Sequence, residues 1–422
     1  MERTGATLQN FEMNANTQNY NPWLHWFIVV TAAATFLLLG SGGMVTSHEA
    51  GMSVPDWPNT YGYNMFLFPV SKWMGGIFYE HTHRLLASGI GLLTTVLAVW
   101  LWFKVPRTWM RWLSVLAFVL VVLQGVLGGL RVTLHLDKLG IVHGALAQLF
   151  FVLICALALF TSCWWMELGR RSPTRREKNS MDKHAVPEAG APLRRLVLFT
   201  TILIFLQLVL GATMRHQHAG LAIPDFPAAY GKIWPDTSAA AVARYNADRM
   251  EVISENPITA FQIVLQMAHR LVALAIFIFV AVCAWQAWNI GAPASGPARA
   301  NGESRKQAGP EAGAPIVHRR ISLFWLALIA VQIALGAWTL WSNKAADVAT
   351  AHVLVGALAF VTGALWCLIA FARPASQPQV APDATTPNAF GAAQSTTANR
   401  VMATRASLPR VFGAHPAMIG DQ

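Results

Sequence analysis

The sequence predicts an all-α polytopic membrane protein whose eight transmembrane helices form two parallel four-helix bundle repeats. Three observations predict this fold: 55% of residues are hydrophobic, only 12% are charged, and the apolar residues fall into eight long runs. A soluble domain carries about 25% charged residues, and about 20 apolar residues in a helix cross the hydrocarbon layer. The runs are approximately 23–43, 78–103, 109–131, 139–166, 194–214, 258–289, 318–341 and 348–372. Because the bilayer core offers no water to backbone groups, these runs must be helices rather than open strands.

The basic residues indicate membrane topology rather than nucleic-acid binding. The net charge is +11, but Lys and Arg are concentrated in the connections after the second, fourth and sixth runs. By the positive-inside rule, both termini are then cytoplasmic. Residues 1–22 are polar and show neither a secretory cleavage pattern nor an Arg-rich transit pattern. We therefore expect the first helix to be retained in a bacterial inner (plasma) membrane, with the lipid bilayer and no nucleic acid as a partner.

The chain contains an internal repeat. Four pairs of segments match in the same order: 50–62 with 219–231, 83–92 with 269–278, 123–130 with 331–338, and 142–152 with 351–361. Because each copy contains four helices, the two copies have the same orientation in the membrane. We predict five regions, which are a polar N-terminal segment (1–22), an N-terminal four-helix repeat (23–166), a cytoplasmic linker (167–193), a C-terminal four-helix repeat (194–372) and a disordered cytoplasmic tail (373–422).

Four histidines occupy equivalent positions in the two copies. His83 matches His269 and His143 matches His352, each near the start of an even-numbered helix. The predicted topology places all four in the outer half of the bilayer, where ionisable residues are rare and usually functional. A hydrogen bond to a neighbouring backbone carbonyl is the alternative for any one of them. Two imidazoles on facing helices suit the two axial positions of a heme iron, and few thiolates or carboxylates lie near enough for a closed zinc site.

Small residues and arginines accompany these histidines. The small residues are Gly89, Gly91, Gly140, Gly144, Ala145, Gly356 and Ala357; they would admit a flat macrocycle, or serve helix packing alone. The arginines are Arg84, Arg131, Arg215 and Arg270. Each could pair with a heme propionate, or extend to lipid head groups, and the sequence leaves both alternatives open.

The remaining histidines and the cysteines are predicted to be secondary. His81, His48, His216 and His218 lack this repeated pattern, and we expect them to be solvated or to cap helices rather than to bind metal. The cysteines Cys155, Cys163, Cys283 and Cys367 all lie in apolar helices. We expect them to pack as small hydrophobic residues, without a disulfide framework.

The two copies differ at one acidic residue. The first copy reads Glu-His-Thr-His at 80–83, whereas the second reads Gln-Met-Ala-His at 266–269. Glu80 and His83 are three residues apart and therefore share one face of a helix. A carboxylate there could move protons or stabilise positive charge, or it could cap the helix start. The replacement by Gln266 predicts one reactive site and one supporting site.

These residues resemble the heme A synthase family. The resemblance rests on the duplicated four-helix unit, Glu80-x-x-His83, His269-Arg270, and the later His143 and His352. The loop motif Pro-Asp-Trp-Pro at 55–58 and its echo Pro-Asp-Phe-Pro at 224–227 are also similar to that family. The resemblance covers about residues 23–372.

The resemblance implies a reaction and a set of roles. The family oxidises the C8 methyl of heme O to a formyl group with water-derived oxygen, which gives heme A for cytochrome c oxidase. His83 and His143 would be the axial ligands of heme O as substrate, and His269 and His352 those of heme b as cofactor. Glu80 would be catalytic, by stabilising a carbocation-like intermediate or by accepting protons during water attack.

The first loop departs from the family in one respect. Many members carry a cysteine pair around Pro-Asp-Trp-Pro, but Val54 and Thr60 flank that motif here. Electrons must therefore leave by another route, to an acceptor that the sequence does not identify. The implied partners are heme O, the heme O synthase that supplies it and this acceptor, and a homo-oligomer is also open. We further expect a short amphipathic helix within 235–257, over the second heme.

Two other functions use the same residues differently. A diheme cytochrome b of the quinol oxidoreductase type would use the four histidines for electron transfer, with Glu80 as the acceptor of a quinol proton. A transporter is compatible with parallel repeats, but the helix centres lack the polar clusters and Gly/Pro breaks typical of transporters.

Overall fold

The computed structural model describes residues 20–170, 191–248, 257–289 and 313–372. Within these ranges, eight helices are long and apolar enough to cross a membrane, and no β-strand occurs. This confirms the predicted fold class of an all-α multi-pass membrane protein. The helices are α1 Pro22–Ser47, α2 Gly76–Lys104, α3 Thr108–Thr133, α4 Leu139–Thr161, α5 Ala191–His216, α6 Ala260–Asn289, α7 Gly313–Trp341 and α8 Ala346–Phe371.

Helix ends differ from the predicted runs by a few residues because capping, rather than hydropathy, determines them. Helix α1 begins at Pro22, where the Asn21 side chain accepts a hydrogen bond from the Leu24 N–H at 3.1 Å. The fourth run, predicted as 139–166, is divided at Ser162. The hydroxyl of Ser162 accepts a hydrogen bond from the Trp165 N–H at 3.1 Å, and a separate short helix, Cys163–Arg170, follows.

The loops contain shorter elements. Two 3₁₀ turns, Met65–Leu67 and Val70–Lys72, precede α2. A helix at Ala239–Ala247 lies within the segment 235–257, as predicted; residues 249–256 of that segment lie outside the described residues. Most of the predicted linker and the whole of the predicted tail also lie outside them, so both assignments stay predictions.

The membrane helices pack as two rings. In the first ring α1 packs on α2, α2 on α3, α3 on α4 and α4 on α1; helices α5 to α8 follow the same cyclic order. Helices α1 and α4 of the first ring face α5 and α8 of the second. Each ring has its own apolar core, and this shared order is what a repeated four-helix unit would produce.

Two tryptophans fill the second core where the first holds smaller side chains. Trp325 and Trp366 are fully buried, with ring centres 5.6 Å apart in an edge-to-face arrangement. Both indole N–H groups have acceptors: Trp325 donates to the Ala359 carbonyl at 2.7 Å, and Trp366 to Nδ1 of His318 at 2.8 Å. Buried indoles normally need such partners. These partners therefore fix the orientation of both indoles in the second core.

Polar side chains at the end of α5 reach across to the first ring. Arg215 donates to the Gly43 carbonyl at 3.0 Å and to the Ser47 hydroxyl at 2.8 Å, both on α1. Next to it, His216 lies 2.9 Å from the carboxylate of Asp137, which also pairs with Arg131 at 2.7 Å. The side chain of His216 is only 9% exposed. The expectation that His216 is solvated or caps a helix was therefore wrong, because it is buried in a contact between the rings.

We expect replacement of Trp325 by Ala to destabilise the protein by about 3–5 kcal/mol, because it creates a large cavity and leaves the Ala359 carbonyl without its donor. Trp338→Ala on the same helix is the matched control, since Trp338 is 57% exposed. Unfolding by denaturing detergent measures both variants. Equal destabilisation by the two would contradict this account of the core.

The Asp137 contacts predict a pH-dependent stability. Burial raises the pKa of Asp137, but the hydrogen bonds and charges of His216 and Arg131 outweigh it, so the pKa is below its ordinary value. A carboxyl with a lowered folded-state pKa stabilises the fold above its unfolded pKa of about 3.9 and loses that contribution as the pH falls through the folded value. We expect Asp137→Asn to lower the melting temperature at pH 7, and this difference from the parent to shrink as the pH falls below 3.8 through the lowered folded-state pKa of Asp137. A difference that is constant with pH would contradict it.

Candidate functional site

The four repeated histidines lie near one face of the helix bundle. His83 is the eighth residue of α2, His143 the fifth of α4, His269 the tenth of α6 and His352 the seventh of α8. All are within about 15 Å of the helix starts, at 1.5 Å per residue. We call this side, which carries the α1–α2, α3–α4, α5–α6 and α7–α8 connections, the histidine face.

Each of these imidazoles lies against a glycine of the preceding helix. The pairs are Gly42 with His83, Gly128 with His143, Gly211 with His269, and Gly336 with His352. A Cβ on Gly42 or on Gly336 would lie 3.1 or 3.2 Å from Cε1 of its histidine, closer than an ordinary contact. A side chain at either position would therefore require the imidazole to shift by a few tenths of an ångström, whereas a Cβ on Gly128 would make an ordinary contact at 3.5 Å.

The small residues noted in the sequence, as positions where a flat macrocycle or another helix could approach, are different from these ring-facing glycines. Gly89, Gly91 and Gly144 face open space, whereas Gly140 lies against His216 and Gly356 against Leu208 and Gln332. The ring-facing glycines were missed because the contact joins two helices. A recognisable signal exists, since three of the four follow a glutamine by four residues: Gln124, Gln207 and Gln332.

These glutamines donate hydrogen bonds to the histidines. Gln124 and Gln207 donate to the backbone carbonyls of His143 and His269, at 3.1 and 2.9 Å. Gln332 is instead 3.3 Å from Nε2 of His352. Each glutamine thus helps to fix the helix turn that carries its histidine.

In α1 the position of this glutamine is Leu38, and Ser41, next to Gly42, determines the tautomer of His83. The hydroxyl of Ser41 donates to the Leu38 carbonyl at 2.9 Å, so it must accept from Nδ1 of His83 at 2.8 Å. Nδ1 therefore carries the proton in the neutral ring, and Nε2 keeps its lone pair. This is the form in which an imidazole binds a metal through Nε2.

The structure brings the second pair of histidines together. The ring centres of His269 and His352 are 6.5 Å apart, with the planes at 55°. Two metal–imidazole bonds of about 2 Å, with each nitrogen about 1 Å from its ring centre, would place the centres about 6 Å apart. The spacing therefore fits two imidazoles on one metal ion. The described residues show no such ring contact between His83 and His143.

The tautomers of the other three histidines are not fixed through Nδ1. Nδ1 of His143, of His269 and of His352 is buried without a hydrogen-bond partner. Buried polar atoms without partners are uncommon, because they lose hydration without compensation. Among the described residues, no group of three or more His, Cys, Asp or Glu side chains converges on a metal position. Pairs of imidazoles as the ligands of a heme therefore stay a prediction.

Glu80 is buried and holds the α1–α2 loop. It is 4% exposed, and its carboxylate accepts hydrogen bonds from the Val54 N–H and from the Arg84 guanidinium, both at 2.8 Å. Arg84 also donates to the carbonyls of Val54 and Asp56, at 2.8 and 2.7 Å. Glu80 therefore does not cap α2, and it lies one turn before His83.

The second copy reproduces this arrangement without the charge. Gln266 accepts from the Ile223 N–H at 2.6 Å and donates to the Ile223 carbonyl at 3.2 Å. Arg270 donates to the carbonyls of Asp225 and Ala228, at 2.7 and 2.8 Å. Because Arg84 and Arg270 both bind loop carbonyls, their role as propionate partners stays a prediction.

The loops themselves have the same local fold. The carboxylates of Asp56 and Asp225 each accept two backbone N–H groups, from Tyr61 and Gly62 and from Tyr230 and Gly231, at 2.7 or 2.8 Å. Partial burial raises the pKa of Asp56. These hydrogen bonds and the Arg84 charge lower the pKa by more than burial raises it, so it is below its ordinary value. The repeat thus extends to the turn that presents residues 54 and 223 to helices α2 and α6.

The other histidines differ from their prediction in one further case. His81 is fully buried, with Nδ1 3.2 Å from the Thr60 hydroxyl and Nε2 unpartnered; the expectation of a solvated or capping residue was wrong because loop residues cover it. His48 does cap α1, with Nδ1 3.0 Å from the Met44 carbonyl. His218 is 58% exposed and lies 3.9 Å from Glu49.

Comparison with known proteins identifies the family. Residues 25–302 match the COX15-CtaA family, described as cytochrome oxidase assembly protein. A protein named Heme A synthase from Rhizorhabdus wittichii is 28% identical over 374 residues, covering 82% of this chain and 93% of the relative. One of the same name from Lysinibacillus sphaericus is 26% identical over 271 residues, covering 64% and 76%. The family match covers well over half of the sequence, and this chain belongs to the COX15-CtaA family of cytochrome oxidase assembly proteins.

Proposed function

We propose that this chain is a heme A synthase, an oxidoreductase that converts the C8 methyl of heme O to a formyl group with water-derived oxygen and so provides heme A for cytochrome c oxidase. The observation that carries the proposal is an otherwise repeated site that has a buried carboxylate, Glu80, in one copy and an amide, Gln266, in the other. The family and its heme A synthase relatives support the same reaction.

The two copies then have different tasks. His83 and His143 hold heme O as the substrate, and His269 and His352 hold heme b as the cofactor. The 6.5 Å ring spacing of the second pair supports this assignment. Heme b, when bound, supplies a one-electron carrier. Glycines of the preceding helices lie against the imidazoles, and Gln124 and Gln207 bind the backbone of the turns that carry His143 and His269.

Glu80 is the proposed proton acceptor at the substrate. The Val54 N–H and the Arg84 guanidinium bind its two carboxylate oxygens, so its orientation is fixed. Its position one helical turn from His83 keeps it beside the ring that binds the substrate. A buried carboxylate can accept a proton from attacking water or stabilise developing positive charge at the methyl carbon.

Arg131 is the better supported of the proposed propionate partners, because its side chain is largely buried near the histidine face and its Nε is buried without a partner. A carboxylate would satisfy that donor. Arg215 already donates to the Gly43 carbonyl and the Ser47 hydroxyl, so its role as a propionate partner is proposed from its position alone. The protein would function in the bacterial inner membrane with both termini in the cytoplasm. It would receive heme O from a heme O synthase and pass electrons to an acceptor that is not identified.

Pigment analysis tests the proposal directly. After co-expression with a source of heme O, extraction and mass analysis should yield heme A from the parent chain. Heme b alone, in both sites, would contradict the synthase and favour a diheme cytochrome b.

We expect Glu80→Gln to keep bound heme but to lower heme A formation at least about 100-fold, the usual contribution of a general base. The substitution should preserve the loop, because Gln266 makes the equivalent contact with Ile223 in the second copy. Asp347→Asn is the matched control, since it removes an exposed carboxylate from the same face. Heme A is quantified by extraction from equal amounts of protein, and formation at the parental rate would disprove the catalytic assignment.

Replacement of Gly336 by Ala should deplete heme b, as should His352→Ala or His269→Ala. The new Cβ would lie 3.2 Å from Cε1 of His352 and displace its ring, whereas Gly89→Ala is the control because nothing lies within 4 Å of its Cβ position. The heme-to-protein ratio of purified protein measures the effect. Full heme b content in Gly336→Ala, together with depletion in Gly89→Ala, would refute the proposed ring contact.

A further inference from the structure

The segment Asn64–Met74, which connects the first loop to α2, exposes a row of large apolar side chains. Phe66, Leu67, Val70 and Met74 are 68%, 77%, 74% and 70% exposed. Such a group is uncommon on a surface that faces water, and it indicates contact with a protein or a membrane. The segment includes both 3₁₀ turns and has one basic residue, Lys72.

The opposite side of this segment is fixed to the membrane helix α2. Phe68 is 5% exposed, and its ring centre lies 5.1 Å from that of His81; the ring centre of Trp73 lies 4.8 Å from His81 in an edge-to-face contact. The turn Met65–Leu67 also contacts α2. The segment is therefore an ordered part of the protein rather than a loop extending into solvent.

The contact with His81 determines the depth of the segment. His81 is the sixth residue of α2, about 8 Å along the helix at 1.5 Å per residue. Phe78, in the turn before it, is already 46% exposed on this membrane helix. Side chains that face outward beside this turn are at the depth of the lipid head groups and the first acyl carbons.

The polar groups of the segment fit the same position. The ammonium group of Lys72 lies 3.0 Å from the Tyr63 hydroxyl and 4.6 Å from the centre of that ring. Tyrosine, tryptophan and lysine are typical of membrane–water interfaces, where an apolar body meets a polar end. A segment with apolar residues on one side and such groups at its edge matches an interfacial anchor.

We propose that Asn64–Met74 is a membrane anchor that inserts Phe66, Leu67, Val70 and Met74 into the lipid leaflet on the histidine face. Its partner is the boundary between phospholipid head groups and acyl chains. The anchor holds Phe68 and Trp73 over His81, next to Glu80, so the bilayer itself helps to seat the first loop on α2. This inference does not depend on the reaction proposed above.

The second copy covers the equivalent position differently. Met267 takes the place of His81 and packs in a cluster with Ile223 and Ile258. The helix Ala239–Ala247 supplies Val242 and Tyr245 to that cluster. Ile233 in the same loop is 96% exposed, but it belongs to no described contact with α6. Ile233 therefore provides a matched site that should face water.

Fluorescent probes on single introduced cysteines test the anchor in the full chain. Leu67→Cys and Ile233→Cys are each made with Cys163→Ser, because Cys163 is exposed, and are labelled and reconstituted in phospholipid nanodiscs. We expect lipid-bound nitroxide to quench the probe at 67 at least about threefold more than the probe at 233, and aqueous iodide to show the reverse order. Met74→Cys is a second anchor position if Leu67→Cys does not fold.

Two outcomes would overturn the proposal. Iodide quenching at 67 and 74 equal to that at 233 would place the segment in water. Protection of 67 and 74 from both quenchers would mean that protein, such as a second copy of the chain, covers it.

Discussion

The close approach between glycine backbones and imidazole rings is the constraint on which the rest of the structure depends. In each ring of four helices, the backbone of two odd-numbered helices lies directly against the histidine side chains of two even-numbered helices, with no side chain between them. This contact fixes the distance between neighbouring helices and the depth of the imidazoles along them. On the same odd helices, Gln124 and Gln207 bind the backbone of the turns that carry His143 and His269, and Ser41 fixes the tautomer of His83. In the second ring, packing alone brings the imidazoles of His269 and His352 to 6.5 Å between ring centres.

The first copy adds chemistry to this shared frame with a single change of residue. Glu80 and Gln266 make the same hydrogen bond to a loop N–H, so the exchange of carboxylate for amide leaves the loop geometry intact. The ion pair with Arg84 offsets the cost of burying the charge at Glu80. The equivalent arginine of the second copy, Arg270, binds loop carbonyls. A supporting site and a reactive site can therefore share one fold.

Hydropathy predicted the eight helices, because it is a local signal. Internal repetition singled out the four histidines, because it compares equivalent positions in the two copies. The residues that surround the histidines were not predictable in this way. The covering of His81 depends on how 64–74 folds back onto α2, and the role of His216 depends on two rings meeting at Asp137. Such contacts join segments that are far apart in sequence, and the periodicity of apolar residues does not predict them.

The hydrogen bonds that Arg215 and His216 make to the first half have a consequence for how the two halves recognise each other. Their equivalents in the first repeat are Thr46 and Ser47, whose side chains are too short to span between bundles. Two identical first halves would therefore lack the hydrogen bonds that Arg215 and His216 make between the halves. Unlike halves gain directional hydrogen bonds that like halves lack, so the duplicated chain encodes a preference for heterologous over self pairing.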